Sequence, residues 1–113
     1  MKNLKLALVA VILFLGMSNV NAQAQKTVII KTYELAGSLF KSKMVVTDPS
    51  GKTETIIMKT LNWGKIENIA AENSAILQDE INKWKKEGYV IDGLTSGGLG
   101  DGIMVTTVVL SKD

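Results

Sequence analysis

Residues 77–91 have the sequence LQDEINKWKKEGYVI, and this stretch contains the junction between a helix and a strand. Three lysines lie in its last helical turn, where they suit the negative end of the helix dipole. Gly88 follows them and can adopt the left-handed conformation that ends many helices. In such an ending Trp84 and Tyr89 hold the two positions that contact each other. We therefore predict that these two aromatic residues form a structural staple.

The helical pattern extends from this stretch back to Ile66. Apolar residues recur at three- and four-residue spacing, which predicts one buried helical face. These residues are Ile66, Ile69, Ala70, Ile76 or Leu77, Ile81 and Trp84. Asn73 and Ser74 lack helical preference. The sequence therefore leaves open whether one helix runs through them or a second helix begins at Ala75.

Three runs rich in β-branched and apolar residues precede the helix, at residues 26–34, 39–47 and 52–61. Between the last two lies the sequence DPSG at residues 48–51. Asp in the first position, Pro in the second and Gly in the fourth are typical of a type I turn. We expect the two flanking strands to form an antiparallel hairpin.

Two further strands are predicted after the helix, at residues 89–95 and 103–110, with a glycine-rich connection between them. Dinucleotide sites require a glycine run at the start of a helix, whereas this run precedes a strand. A mobile hairpin loop can still form a contact surface, and the alternative is a turn without a partner. The candidate binding residues are Asp92, Gly97, Gly98, Leu99, Gly100, Asp101 and Gly102.

The predicted fold class is α+β, an antiparallel sheet of four to five strands with one helix packed on one face, in the order β-β-β-α-β-β. The last strand alternates two apolar sets, Ile103, Val105 and Val109 against Met104, Val108 and Leu110. The first strand divides Val28 and Ile30 from Ile29 and Tyr33 in the same way. One helix covers only one face. Either these strands are central and residues 35–40 cover the second face, or a second face or edge meets another subunit, in a homodimer or with another envelope protein.

Residues 1–24 differ in composition from the rest of the chain. Two lysines precede a twelve-residue apolar run at 6–17, and a short polar stretch with small residues follows. This is the order of a secretory signal peptide, and the run is shorter than the roughly 20 residues of a spanning helix. We predict cleavage after Ala22 or Ala24. A single domain, residues 25–113, then remains without a membrane anchor, in the bacterial periplasm or secreted.

The chain has 13 lysines, 11 acidic residues and no Cys, His or Arg. This composition excludes thiolate and imidazole chemistry and zinc sites built from Cys and His. It also removes the bidentate fork of arginine from any phosphate site. Without the two leader lysines the formal net charge is zero. The sequence therefore predicts no cofactor, no metal site and no nucleic-acid partner.

The junction at residues 77–91, together with an early strand around Tyr33 and a β-rich final strand, resembles a small bacterial domain family of unknown function. In that family the helix ends in Glu-Gly-Trp and continues directly into a strand. This chain has Tyr89 at the position where the family usually has Trp. The resemblance implies the same α+β order, and it implies no activity, cofactor or catalytic residue.

These observations favour an exported, non-catalytic binding or interaction module. No constellation of reactive residues is present, while β-strand edges, an apolar second sheet face and a glycine-rich loop suit binding. The alternative is a small carboxylate-dependent hydrolase or ligand-binding domain that uses the glycine-rich loop with Asp92 and Asp101. The sequence alone does not decide whether the protein is an enzyme.

Overall fold

The structure is a computed structural model, and it describes residues 25–36, 41–62, 64–98, 100 and 102–113. The predicted leader therefore lies outside the described residues. The elements follow the predicted order β-β-β-α-β-β. They are β1 (Lys26–Leu35), β2 (Lys43–Thr47), β3 (Thr53–Ile57), α1 (Ile66–Lys86), β4 (Val90–Gly98) and β5 (Ile103–Lys112).

The five strands form one antiparallel sheet in the order β3-β2-β1-β5-β4. This confirms the predicted α+β class, with the helix connecting the two edge strands. β1 and β5 are central, and they pair along ten positions from Lys26↔Lys112 to Leu35↔Ile103. Directly paired residues share a face of the sheet. The predicted division of β5 into two apolar sets is therefore confirmed.

One face of the sheet packs against α1, and we call it the covered face. Its central side chains are fully buried or nearly so, and they meet Ile76, Leu77, Ile81 and Trp84 of the helix. The apolar centre of the covered face consists of Val28, Ile30, Met44, Val46, Val108 and Leu110. These residues, with Met58 and Tyr89, form the hydrophobic core.

The helix is continuous from Ile66 to Lys86, so no break occurs at Asn73 and Ser74. Asn73 is completely buried, and its side chain forms two hydrogen bonds with the backbone of Lys59. Its Oδ1 accepts from the Lys59 N–H at 3.0 Å, and its Nδ2 donates to the Lys59 carbonyl at 2.8 Å. The amide thus joins the helix to the segment after β3, and this tertiary contact offsets its low helical preference.

The end of the helix has the predicted geometry. Gly88 has a φ of +95°, and its N–H donates to the carbonyl of Lys85 at 3.0 Å. The N–H of Tyr89 donates to the carbonyl of Trp84 at 3.2 Å. The two aromatic rings meet edge to face with centroids 5.3 Å apart. The Trp84 and Tyr89 staple is therefore confirmed, and it directs the chain into β4.

The predicted hairpin between β2 and β3 is also confirmed. The N–H of Gly51 donates to the carbonyl of Asp48 at 3.0 Å, which closes the turn. The Asp48 carboxylate accepts hydrogen bonds from the N–H groups of Ser50 and Lys52, both at 2.9 Å, and from the Ser50 hydroxyl at 2.6 Å. These bonds hold the pKa of Asp48 below its ordinary value of 3.8, with the Ser50 hydroxyl as the largest cause.

Three predicted strand boundaries were wrong by three residues or more. β2 begins at Lys43 rather than residue 39, because Ser42 is buried and its hydroxyl accepts the N–H of Leu35 at 2.9 Å. β3 ends at Ile57, and Met58 then enters the core.

β4 extends to Gly98 rather than residue 95, because Gly97 and Gly98 pair with Val105 and Met104 of β5. Of the segment 35–40 that was expected as a cover for the second face, residues 37–40 lie outside the described part of the chain.

Candidate functional site

The glycine-rich end of the β4–β5 hairpin lies beside the end of β1. Gly100 and Gly102 have φ angles of +79° and +80°, a conformation that residues with a side chain rarely adopt. The Gly102 carbonyl accepts the N–H of Ala36 at 2.8 Å. A Cβ at Gly102 would lie 3.4 Å from the Cβ of Ala36. The positive φ therefore favours glycine at this position, and the neighbouring Ala36 leaves little spare room for a side chain.

The described site residues lie in two places, near the start of β4 and at its glycine-rich end. Gly97 and Gly98 are paired strand residues at its end, next to Gly100 and Gly102. Asp92 lies in a β-bulge between Ile91 and Gly93, near the start of the strand. Leu99 and Asp101 lie outside the described residues.

The structure does not bring Asp92 to the glycine-rich end. Gly98 follows Asp92 by six positions of extended chain, which corresponds to about 20 Å at roughly 3.3 Å per residue. The bulge instead introduces a charge at the exposed edge strand of the sheet, which discourages pairing with other chains.

A cleft of about 360 Å³ opens at the glycine-rich end, between the ends of β1 and β4–β5 and the start of α1. Its walls are mainly apolar side chains and glycine backbone, and Glu34 is the carboxylate among its described lining residues. The lining residues are Glu34, Ala36, Leu61, Ile66, Gly98, Gly100, Gly102, Ile103 and Met104. A volume of this size lies at the lower end of the range for small-molecule sites, about 300–1,000 Å³.

Glu34 was not predicted as a site residue, although a signal for it is present in β1. Val28, Ile30 and Thr32 alternate along the covered face, and Glu34 is the next position in that series. It is half-buried, and its Oε2 accepts a hydrogen bond from Nδ2 of Asn73 at 3.3 Å. The strand period thus places a carboxylate on the covered face, where an apolar residue is expected.

A second carboxylate near the core, Glu80 on α1, shows how such a group is usually satisfied. Its Oε1 accepts the indole N–H of Trp84 at 3.0 Å and lies 3.8 Å from Nζ of Lys83. Glu34 has no lysine partner among the described residues. Lys59, whose backbone binds the Asn73 amide, has its ammonium group in an ion pair with Glu72 instead.

The opposite side of the sheet forms a second candidate surface, which we call the open face. Among the described residues no helix or strand lies over it, and its central side chains are half-buried or exposed. The central residues of the open face are Ile29, Lys31, Tyr33, Lys43, Val45, Val105, Thr107 and Val109.

The charges of the open face are lysines. Lys31 lies at its centre, paired with Val45 on one side and Thr107 on the other. Nζ of Lys43 lies 5.8 Å from the ring centroid of Tyr33, at cation–π distance. No Asp or Glu occupies a paired position on this face in the described strands. The open face is therefore an apolar surface with positive charge.

Within the described part of the chain, no three acidic, His or Cys side chains form a group that could hold a metal ion. No helix there is long and apolar enough to cross a membrane. Comparisons with protein-family models, curated proteins and solved structures return no match.

Proposed function

We propose that the chain is exported and that its folded domain is a non-catalytic interaction module, which binds an acidic protein surface in the bacterial envelope or outside the cell. The observation that carries this proposal is the open face. It combines β-branched and aromatic side chains with Lys31 and Lys43, and no described helix or strand covers it.

The apolar part of this face supplies the binding energy in the proposal. A one-layer sheet usually presents polar side chains on the side that faces water. Here β1 and β5 instead present Ile29, Val105 and Val109 next to Tyr33. A contiguous apolar surface with aromatic residues and a polar rim is typical of protein contact sites.

The lysines determine which kind of partner fits. If two copies met face to face, their sheets would lie about 10 Å apart and the central Lys31 side chains would be buried against each other. Burying like charges without partners is unfavourable. A partner with carboxylates around an apolar centre pairs these lysines instead, so an envelope protein fits better than a homodimer.

Export rests on the leader at residues 1–24, with cleavage after Ala22 or Ala24. The folded domain carries equal numbers of lysines and acidic residues, so net charge does not draw it to nucleic acid or anionic lipid. Mass spectrometry of the protein recovered after expression of the full chain tests this part. A mature N-terminus at Gln23 or Gln25 is expected, and an intact Met1 contradicts export by this route.

A second candidate function is ligand binding at the cleft, and the volume beside Gly98 and Gly102 favours it. Carboxylate-dependent hydrolysis at the same cleft has less support. Paired-carboxylate hydrolysis needs two carboxyl groups about 5–9.5 Å apart. The described residues bring Glu34 to the cleft, and Asp92 lies about 20 Å from its glycine wall by strand length.

Partner capture with charge variants tests the interaction proposal. The exported protein and its Lys31→Glu variant are each immobilised and exposed to an envelope extract, and bound proteins are identified. Lys85→Glu is the matched control, because it reverses one exposed charge on α1 away from the open face.

We expect one acidic protein to be retained by the original protein and by Lys85→Glu, and lost with Lys31→Glu. Its retention should also fall as salt rises. The same proteins retained by all three would contradict the proposal. Light scattering at micromolar concentration tests the homodimer alternative. The proposal expects the protein to be a monomer in the absence of its partner.

A further inference from the structure

The cleft at the glycine-rich end contains a half-buried carboxylate, Glu34, which has one hydrogen bond and no cation partner among the residues that the structure describes. We infer that this cleft is a binding site for a small primary amine with an apolar body, whose ammonium group pairs with Glu34. The inference concerns a different surface from the open face and does not depend on it.

The negative charge of Glu34 determines which polar group the ligand carries. A carboxylate has about four acceptor positions, and the only hydrogen bond to Glu34 in the described residues is the 3.3 Å contact from Asn73. Partial removal from water disfavours the charged form of a carboxylate, and a nearby cation offsets this cost. Glu80 has Lys83 as a cation partner, whereas Glu34 has none within the described part of the chain. An ammonium donor from a ligand supplies the missing charge.

The position of Glu34 is held by a rigid neighbour. Asn73 is completely buried, and both ends of its amide also bond to the Lys59 backbone. Its Nδ2 therefore cannot turn away from Glu34 without breaking a second hydrogen bond. A carboxylate positioned in this way is preorganised, which reduces the entropy that ligand binding must overcome.

The walls determine the rest of the ligand. Leu61, Ile66, Ile103 and Met104 are apolar, and Met104 is 49% exposed although it pairs with Glu34 on the sheet. Gly100 has open space at the position of a Cβ, so backbone can approach a bound group closely there. An alkyl or aryl chain next to the ammonium group would cover this apolar surface.

The test is a titration of the exported protein with n-hexylammonium, followed by backbone amide chemical shifts. Hexanol and hexanoate are titrated in parallel, because they keep the alkyl chain and replace the positive charge with no charge or a negative one. We expect saturable shifts at Gly98, Gly102, Ile103 and Met104 with the amine, and much weaker binding of the other two probes.

The variant Glu34→Gln removes the charge and keeps an oxygen that accepts from Asn73. It should weaken amine binding about tenfold, as expected for loss of a charge-assisted hydrogen bond. Glu54→Gln is the matched control, since Glu54 is an exposed strand glutamate of β3 outside the cleft. Its affinity should equal that of the original protein.

Three results would overturn the inference. They are equal binding of hexanol or hexanoate, amine affinity that survives Glu34→Gln in a folded variant, and shifts located away from the cleft. Each is distinguishable from failure of the open-face proposal, because Lys31→Glu should leave amine binding unchanged. An amide spectrum of Glu34→Gln with the dispersion of the original protein confirms that the variant is folded.

Discussion

Ile29 and Ile30 are identical neighbours in β1, and they lie on opposite faces of the sheet. Ile30 is fully buried on the covered face, between Val46 and Val108. Ile29 is half-buried on the open face, between Thr47 and Val109. The difference shows that position relative to the helix, rather than residue type, decides which apolar side chains stabilise this fold. The open face keeps apolar surface that the described fold does not use.

The largest predicted loss of unfolding free energy distinguishes Ile30 from Ile29. Ile30→Ala should lower the free energy of unfolding by about 2–5 kcal/mol, because it leaves a cavity under α1. Ile29→Ala should lower it by about 1 kcal/mol, because its side chain is already partly in water. Denaturant unfolding of both variants measures the difference. Equal losses would mean that something covers the open face as well.

A second prediction concerns the contact that holds the helix over the covered face. Asn73→Ala should cost about 1–3 kcal/mol of unfolding free energy, because the N–H and carbonyl of Lys59 lose their partners. Asn68→Ala on the exposed side of the same helix is the control, and it should be neutral or slightly stabilising. If the two variants have equal stability, the Asn73 amide does not anchor the helix.

A third prediction has the opposite sign and concerns the end of the open face. Ser111 is 2% exposed, and no described residue forms a hydrogen bond with its hydroxyl. Ser111→Ala should therefore raise the free energy of unfolding by about 1 kcal/mol. Ser96→Ala, which removes an exposed hydroxyl 3.3 Å from that of Thr106, should change it by less than about 0.5 kcal/mol. A destabilised Ser111→Ala would point to an unseen partner for this hydroxyl.

The smallest predicted change in stability concerns the β2–β3 hairpin, whose strands contribute to both faces of the sheet. The pKa of Asp48 is lower in the folded protein than its ordinary 3.8. Its stabilising contribution is therefore complete above that value, and it is lost as the pH falls through the lower folded pKa. Melting temperatures should fall on acidification, and the fall should be smaller for Asp48→Asn. The same acid dependence in both proteins would assign the effect to other carboxylates.

Local chemistry explains which parts of the fold are predictable. The turn at residues 48–51 and the helix end at Gly88 each depend on a few adjacent residues whose conformational preferences agree. The positions at which the strands end do not depend on adjacent residues alone. β2 begins late because the hydroxyl of Ser42 accepts the N–H of Leu35, and that contact depends on how the sheet assembles. Asn73 stays helical for a similar reason, since Lys59 pairs with its amide.

The candidate site likewise has one part that the sequence predicts and one part that it does not. The glycine-rich run predicted a contact surface at the end of the molecule where the cleft lies, and Gly98, Gly100 and Gly102 line that cleft. Proximity in the chain suggested Asp92 as a companion, but an extended strand carries that residue away from the cleft. Glu34 reaches the cleft from a different strand, 64 residues before Gly98 in the numbering. No local pattern reports such a contact.

By itself the sequence determined the element order, the β2–β3 turn, the helix ending and the two apolar faces of β1 and β5, because each follows from periodicity or from neighbouring residues. Only the tertiary structure decided which face the helix covers, how far each strand extends and which carboxylate enters the cleft. These outcomes depend on burial and hydrogen bonding between segments that are distant in the chain, and such contacts exist only once the sheet has formed.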